Sequence, residues 1–311
     1  MIFLFVVFEL IIVILGIGYL IFISTLGRNF SLPGNPDADP DDGNMKPTGK
    51  RLIAFQKPYI DAFKELPFEE CCIKSFDNLK LYAYLIKGNP EEVVIFMHGY
   101  RSNKENDFAD KYEIYKERNS TMLFLDGRAH GKSEGKYIGF SELDRFDIEK
   151  WVDFINEKYD NPRIYLHGVS MGGASVIHCA NMHLNNLCGI IDDCGFTSGR
   201  DITAVQMKGT FNLPYFPFAT LATFFAKNVG GVDFDKSKGE ECARESDVPI
   251  VYIHGKADVF VPCWMSEKMY EATVKPKRLL LVEGAGHAAA YMMAPAEYKN
   301  LVNELLDGKV V

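Results

Sequence analysis

Residues 163–178 read RIYLHGVSMGGASVIH. An apolar run of strand length ends at Gly168-Val169-Ser170-Met171-Gly172, and small residues able to open a helix follow. A serine between glycines at such a corner is held out above a sheet, because the turn brings backbones too close for flanking side chains. Ser170 is therefore the candidate nucleophile. The rest of the chain must supply a sheet to carry it and groups to activate it.

The sheet is legible on both sides of that corner. Residues 70–76 and 80–86 flank an Asp77-Asn78 turn and predict an antiparallel hairpin. Apolar runs at 93–98, 121–126, 163–168, 187–193, 249–255 and 278–284 predict buried strands. Between and after them lie helical patterns such as FADKYEIYKER, SELDRFDIEKWVDFINEKY and EYKNLVNELLDG. Strands alternating with helices predict a mostly parallel, doubly wound α/β sheet, whose ligands gather at the carboxyl ends of the strands.

Activation has candidates in the same register. A serine hydroxyl is a poor nucleophile at neutral pH, so a base must take its proton, and an imidazole has the pKa for the task. PIVYIHGKADVFVP places Asp258 shortly after a strand, and LLLVEGAGHA places His287 just past the last one. Asp192 and Asp193 also follow a strand and are the rival acids.

The GVSMG corner, the later Asp258 and the final His287 resemble the α/β-hydrolase superfamily, from about Glu70 to the C-terminus. The layout is most similar to bacterial members near its serine-aminopeptidase-like and acylglycerol-lipase-like branches. The resemblance implies that Ser170 attacks a carbonyl, His287 shuttles the proton and Asp258 orients the base. It implies an oxyanion hole from the N–H groups of Met171 and, through the His98-Gly99 pair of FMHGYRSNKENDF, of Tyr100. Residues 123–135, LFLDGRAHGKSEG, resemble the superfamily's D-x-R-G-H-G-x-S element, with Ala129 where that pattern has glycine. Its expected role is structural, and neither His130 nor His98 is assigned a catalytic part. The HGGG run of many lipases is missing.

A lid is expected at about residues 197–246, where GTFNLPYFPFATLATFFAKNVGG is aromatic and broken by proline. Such a lining suits an acyl or aryl substrate; plain packing on the sheet and contact with a bilayer stay open. The expected reaction is cleavage of a small-molecule carboxylic ester through an acyl-enzyme. A peptidase or amidase (aminopeptidase-like) and a thioesterase are alternatives on the same trio. A non-catalytic, membrane-attached binding module is the reading from another class. An aminopeptidase needs a carboxylate pair in the lid, for which Glu240, Glu241 and Glu245 are the candidates.

The N-terminus is a different material. Residues 1–26 carry one charge, Glu9, and the run 10–26 is at the short end of what crosses a hydrocarbon core of about 30 Å. With no positive n-region and no A-x-A-like site, a transmembrane anchor over residues 1–28 is preferred to a cleaved signal. Arg28 follows the run and no Lys or Arg precedes it, which by the positive-inside rule puts the globular part in the cytoplasm. Residues 29–50, rich in Pro, Gly and Asp, predict a flexible linker, and 51–311 the α/β-hydrolase domain.

Composition narrows the partners. A net charge of -8 without any Lys/Arg cluster argues against a nucleic-acid surface. His167, His178, His183 and His254 stand without carboxylate partners at ligand spacing and no H-E-x-x-H occurs, so no metal is expected. No G-x-G-x-x-G follows a strand and there is no P-loop, so no nucleotide cofactor is expected either. The seven cysteines are scattered without C-x-x-C spacing, and adjacent Cys71-Cys72 could be bridged only with strain, which favours free thiols in a reducing compartment.

Overall fold

The expected hairpin forms: β1 (Glu69–Lys74) pairs antiparallel with β2 (Lys80–Ile86), and Asn78 between them takes a φ of 67°. This computed structural model describes residues 2–29, 48–209, 214–236 and 238–310. Six further strands complete one sheet: β3 (Asn89–Met97), β4 (Ser120–Leu125), β5 (Arg163–Val169), β6 (Leu187–Asp193), β7 (Ile250–Gly255) and β8 (Lys277–Val282). Their order is β1-β2-β4-β3-β5-β6-β7-β8. β2 meets β4 antiparallel, and every later pairing is parallel.

Alternation along β3 builds both cores. Val93, Ile95 and Met97 face one helical layer, and Val94 and Phe96 face the other, as the two-residue strand period requires. The first layer holds α5 (Asp144–Lys158), α6 (Met171–Ile177), α9 (Gly239–Arg244) and α10 (Trp264–Ala272). In α5 the buried Ile148, Trp151, Val152 and Ile155 fall on one stripe at helical spacing. The second layer holds α2 (Gly49–Lys64), α3 (Lys104–Phe108), α4 (Tyr112–Glu117), α11 (Ala290–Met293) and α12 (Pro295–Leu306). Lining both faces of a parallel sheet with helices explains its near-continuous apolar strands.

Two expectations change. The pattern FADKYEIYKER is helical only over α4: its Phe108 ends α3, and residues 109–111 turn between the two. Tight bonds from Lys111 N–H to Phe108 O (3.1 Å) and from Ile114 N–H to Lys111 O (3.2 Å) break the ladder, and Lys111 turns inward onto Asp110 at 3.1 Å. Helix α2 begins inside the stretch assigned to the linker; the remainder of that linker, residues 30–47, lies outside the described residues. The lid stretch contains α7 (Gly199–Gly209), an irregular turn at Tyr215–Ala219 and α8 (Thr220–Asn228), together with α9.

The N-terminal segment is helix α1 (Ile2–Leu26), and Phe5–Leu26 is long and apolar enough to cross a membrane. Its last turns belong to the domain's packing, so residue 28 is not a packing boundary. Phe22 and Leu26 are each 1% exposed, and Phe22 stacks obliquely against Tyr137 with centroids 5.1 Å apart. At Gly18 an added Cβ would lie 2.5 Å from the Cβ of Leu221, so the missing side chain lets α1 and α8 approach closely. The end of α1 is tied down by backbone bonds from Arg28 N–H to Lys136 O (2.9 Å) and Ile138 N–H to Leu26 O (2.7 Å).

Candidate active site

The corner at Ser170 is built as the sequence requires. Ser170 takes φ 57° and ψ -117°, a conformation a non-glycine residue holds at a cost of about 1–3 kcal/mol. Its neighbours enforce it: Ser170 N–H donates to Asp193 O (2.8 Å), and Ala174 N–H to Ser170 O (3.0 Å). A Cβ on Gly172 would lie 1.9 Å from Met97 O, and one on Gly168 would lie 2.1 Å from Gly172 O. Only glycine fits at either position.

Ser170, Asp258 and His287 come together although far apart in sequence. His287 Nε2 lies 2.9 Å from Ser170 Oγ, and its Nδ1 lies 2.7 Å from Asp258 Oδ2. Asp258 Oδ1 accepts the N–H groups of Phe260 and Val261, both at 2.9 Å. Burial alone would raise the Asp258 pKa, but the adjoining His287 and His254 outweigh it and hold the carboxyl well below the usual range. An ionised Asp258 can only accept, so Nδ1 of His287 carries the proton and Nε2 presents its lone pair to the serine hydroxyl.

Asp192 and Asp193 do other work. Asp192 Oδ1 accepts Gly195 N–H (2.8 Å), and Asp193 Oδ2 accepts the Tyr298 hydroxyl (2.8 Å). Tyr298 in turn meets His167 at 3.0 Å, and His167 meets Tyr115 at 2.7 Å. This buried chain stands behind the backbone that receives Ser170 N–H.

The loop after β3 is held by two histidines and an aspartate. Gly127 N–H donates to His98 Nε2 (3.1 Å), so His98 Nδ1 carries the proton and donates to Gly99 O (2.7 Å). Arg101 N–H donates to His130 Nε2 (3.1 Å), and burial pushes the His130 pKa down to about 3, which keeps it a neutral acceptor. Asp107 Oδ2 takes Gly99 N–H at 2.7 Å. The N–H groups of Tyr100 and Met171 reach no acceptor among the described residues, and both residues line the same cavity as Ser170.

One sequence expectation about histidines is corrected. His254 does have a carboxylate: its Nε2 lies 3.3 Å from Asp258 Oδ2 and 2.7 Å from Val261 O, and its Nδ1 lies 2.7 Å from Ser266 Oγ. Strand β7 ends and the chain turns back, which brings the side chain four positions earlier under the acid; the i, i+4 spacing was the available signal. Burial opposes charging of His254, yet Asp258 raises its pKa above the ordinary value. His183 likewise pairs with Asp247 on the surface. Asp107 also went unrecognised, because only the folded loop brings it back to Gly99.

Cys194 shares a neighbourhood with the trio, with ligand atoms of Cys194, Asp258 and His287 within 4.8 Å of one another. Burial drives that thiol far above its ordinary pKa, so it is a neutral neighbour, and the other two are already bonded to each other. All seven cysteines are free thiols.

A cavity of about 540 Å³ leads to Ser170. Phe140, Phe196, Phe234 and Phe260 line it together with residues of α1, α7 and α8. Among the described residues no carboxylate lines it, and the one charged side chain that does, Arg101, is bound to Tyr100 Oη (2.9 Å) and to the carbonyls of Ser24 (3.1 Å) and Gly27 (2.8 Å). The glutamates of the stretch expected to form a lid lie elsewhere: Glu240 pairs with Lys268, Glu241 with Lys238 (2.8 Å) and Glu245 with Asn181 (2.8 Å).

Comparisons with known proteins agree with this architecture. The family model described as serine aminopeptidase, S33, matches residues 88–206. The uncharacterized protein YqkD of Bacillus subtilis is 28% identical over 249 residues, covering 77% of this chain and 81% of its own. The uncharacterized membrane protein YNL320W of Saccharomyces cerevisiae is 22% identical over 211 residues, covering 66% of this chain and 68% of its own. Among solved structures, the Pyrococcus furiosus esterase Pf2001 superposes with a TM-score of 0.65 at 22% identity, over 80% of this chain and 94% of that one.

Proposed function

We propose that this chain, whose fold is that of the α/β-hydrolases, is a membrane-tethered serine hydrolase that cleaves carboxylic esters through an acyl-enzyme. The observation that carries the reading is the unbroken line of hydrogen bonds from Asp258 through His287 to Ser170. His287 takes the serine proton as Oγ attacks the carbonyl carbon, and the N–H groups of Tyr100 and Met171 receive the charge that develops on oxygen. The same imidazole then protonates the departing alkoxide. Water, activated by His287, attacks the acyl-enzyme and releases the acid.

The cavity supports an ester over an aminopeptidase substrate. An α-amino group is a buried cation and needs a carboxylate, whereas the walls are apolar and the lid glutamates are bound outside. The apolar helix and a membrane-protein relative support the tether.

The test is labelling of purified full-length protein with a fluorophosphonate. Covalent capture is expected in the wild type and lost in Ser170→Ala and His287→Ala. Labelling that persists in Ser170→Ala refutes the assignment of the nucleophile. A folded wild type that neither labels nor hydrolyses p-nitrophenyl esters supports the binding-module reading instead.

A further inference from the structure

The cavity at Ser170 has a wall that a soluble hydrolase domain does not supply. Ile17, Ile21, Phe22 and Thr25 of the apolar helix α1 line it, opposite Met207 and Ala222 of the lid helices. These α1 residues span about 12 Å of helix, so the contact is a side of the site and not a touch at its rim.

Membrane geometry bears on the same place. Along α1, Gly18 is the first buried of the residues whose burial is described; the side chains described before Ile17 are exposed or, at Ile14, half-buried, and helix residues 2–16 precede the cavity. That stretch reaches about 22 Å as a helix, short of the roughly 30 Å of a hydrocarbon core. To satisfy the apolar length of Phe5–Leu26, the lid must sit down into the interface, with the cavity at the depth of the acyl chains. The lid surface fits that immersion: Phe216 is 74% exposed and Phe224 55%, on segments packed directly against α1. Aromatic side chains left in water would be costly, and in the bilayer interface they are at home.

We propose that α1 is a wall of the substrate site as well as an anchor, and that the site takes the acyl chain of a long-chain ester held in the bilayer, entering sideways between α1 and the lid. The acyl chain passes from lipid to an apolar cavity without crossing water, and its carbonyl arrives at Ser170. This inference rests on the serine-esterase reading, and the experiment separates the two.

The full-length protein is reconstituted in phosphatidylcholine vesicles, and kcat/KM is measured for p-nitrophenyl palmitate and p-nitrophenyl acetate alongside fluorophosphonate labelling. The wild type is expected to prefer the palmitate. Ile17→Trp and Ile21→Trp, which fill the wall, are expected to lower the palmitate-to-acetate ratio roughly tenfold, the effect of expelling about two methylenes from an apolar site. Leu10→Trp, on the part of α1 outside the cavity, is expected to keep the wild-type ratio. A wild type that labels but prefers acetate, or wall variants that keep the wild-type ratio, overturns the inference while leaving the nucleophile intact. Equal loss of both esters and of labelling in the wall variants also overturns it, since α1 then serves only the fold. Absence of labelling and of all ester turnover in the wild type refutes the underlying function with it.

Discussion

Replacing Asp258 with asparagine tests the proposed trio through a single proton. Asp258 Oδ1 accepts two backbone N–H groups, from Phe260 and Val261, both at 2.9 Å. An asparagine must keep its carbonyl oxygen there, because turning its NH2 toward two donors would leave all of them unpaired in a buried site. The NH2 therefore occupies the place of Oδ2, 2.7 Å from His287 Nδ1. Nδ1 is then forced to accept, the proton moves to Nε2, and the nitrogen facing Ser170 can no longer take its proton. The backbone thus dictates the wrong tautomer, with little change in shape. The expected loss in kcat for a p-nitrophenyl ester is about 10,000-fold near pH 7.5, the effect of the same tautomer exchange in serine-protease triads. Thermal unfolding and far-UV circular dichroism in detergent should show a folded protein. Loss of less than about tenfold would refute Asp258 as the orienting acid. Asp192→Asn, made alongside, should leave activity far higher, because Asp192 bonds Gly195 and does not reach His287.

Other perturbations follow from the same contacts. Gly172→Ala drives a methyl to 1.9 Å from Met97 O, so the corner must open; fluorophosphonate labelling should slow by more than about 100-fold, and normal labelling would sink the packing argument. Arg128→Met strips the buried Asp147 of a fork of two 2.7 Å bonds and should cost about 3–5 kcal/mol in a denaturant titration; a cost under about 1 kcal/mol would show the pair to be dispensable. Burial pushes the Asp192 carboxyl up to about 7, so between the ordinary carboxylate pKa and pH 7 the folded chain binds more protons there than the unfolded chain. Asp192 therefore makes stability fall as pH rises through that window, and Asp192→Asn should flatten the fall; an unchanged slope between pH 5 and pH 7 would count against it.

Strand positions were readable because a parallel sheet buried on both faces writes long apolar runs, and β6 agrees with its run from Leu187 to Asp193. The pattern FADKYEIYKER is helical only from Tyr112, because periodicity says nothing of a buried Lys111–Asp110 pair that turns the chain inward before α4. Of the candidate site groups, Ser170, Asp258 and His287 are marked by their place after strands. His254 and Asp107 are not, since each acts only through a partner that a loop returns to it.

The sequence by itself determined the sheet, the corner that exposes Ser170 and the order of the groups around it. These follow from local rules: the two-residue period of a strand, and the room that only glycine leaves at a tight turn. Tertiary structure decided which of the three later aspartates reaches the histidine, because that choice depends on where β6 and β7 end in space. It also decided that the apolar helix is a wall of the cavity. In sequence, a residue that faces lipid and one that faces a substrate chain are the same apolar letter, and only packing tells them apart.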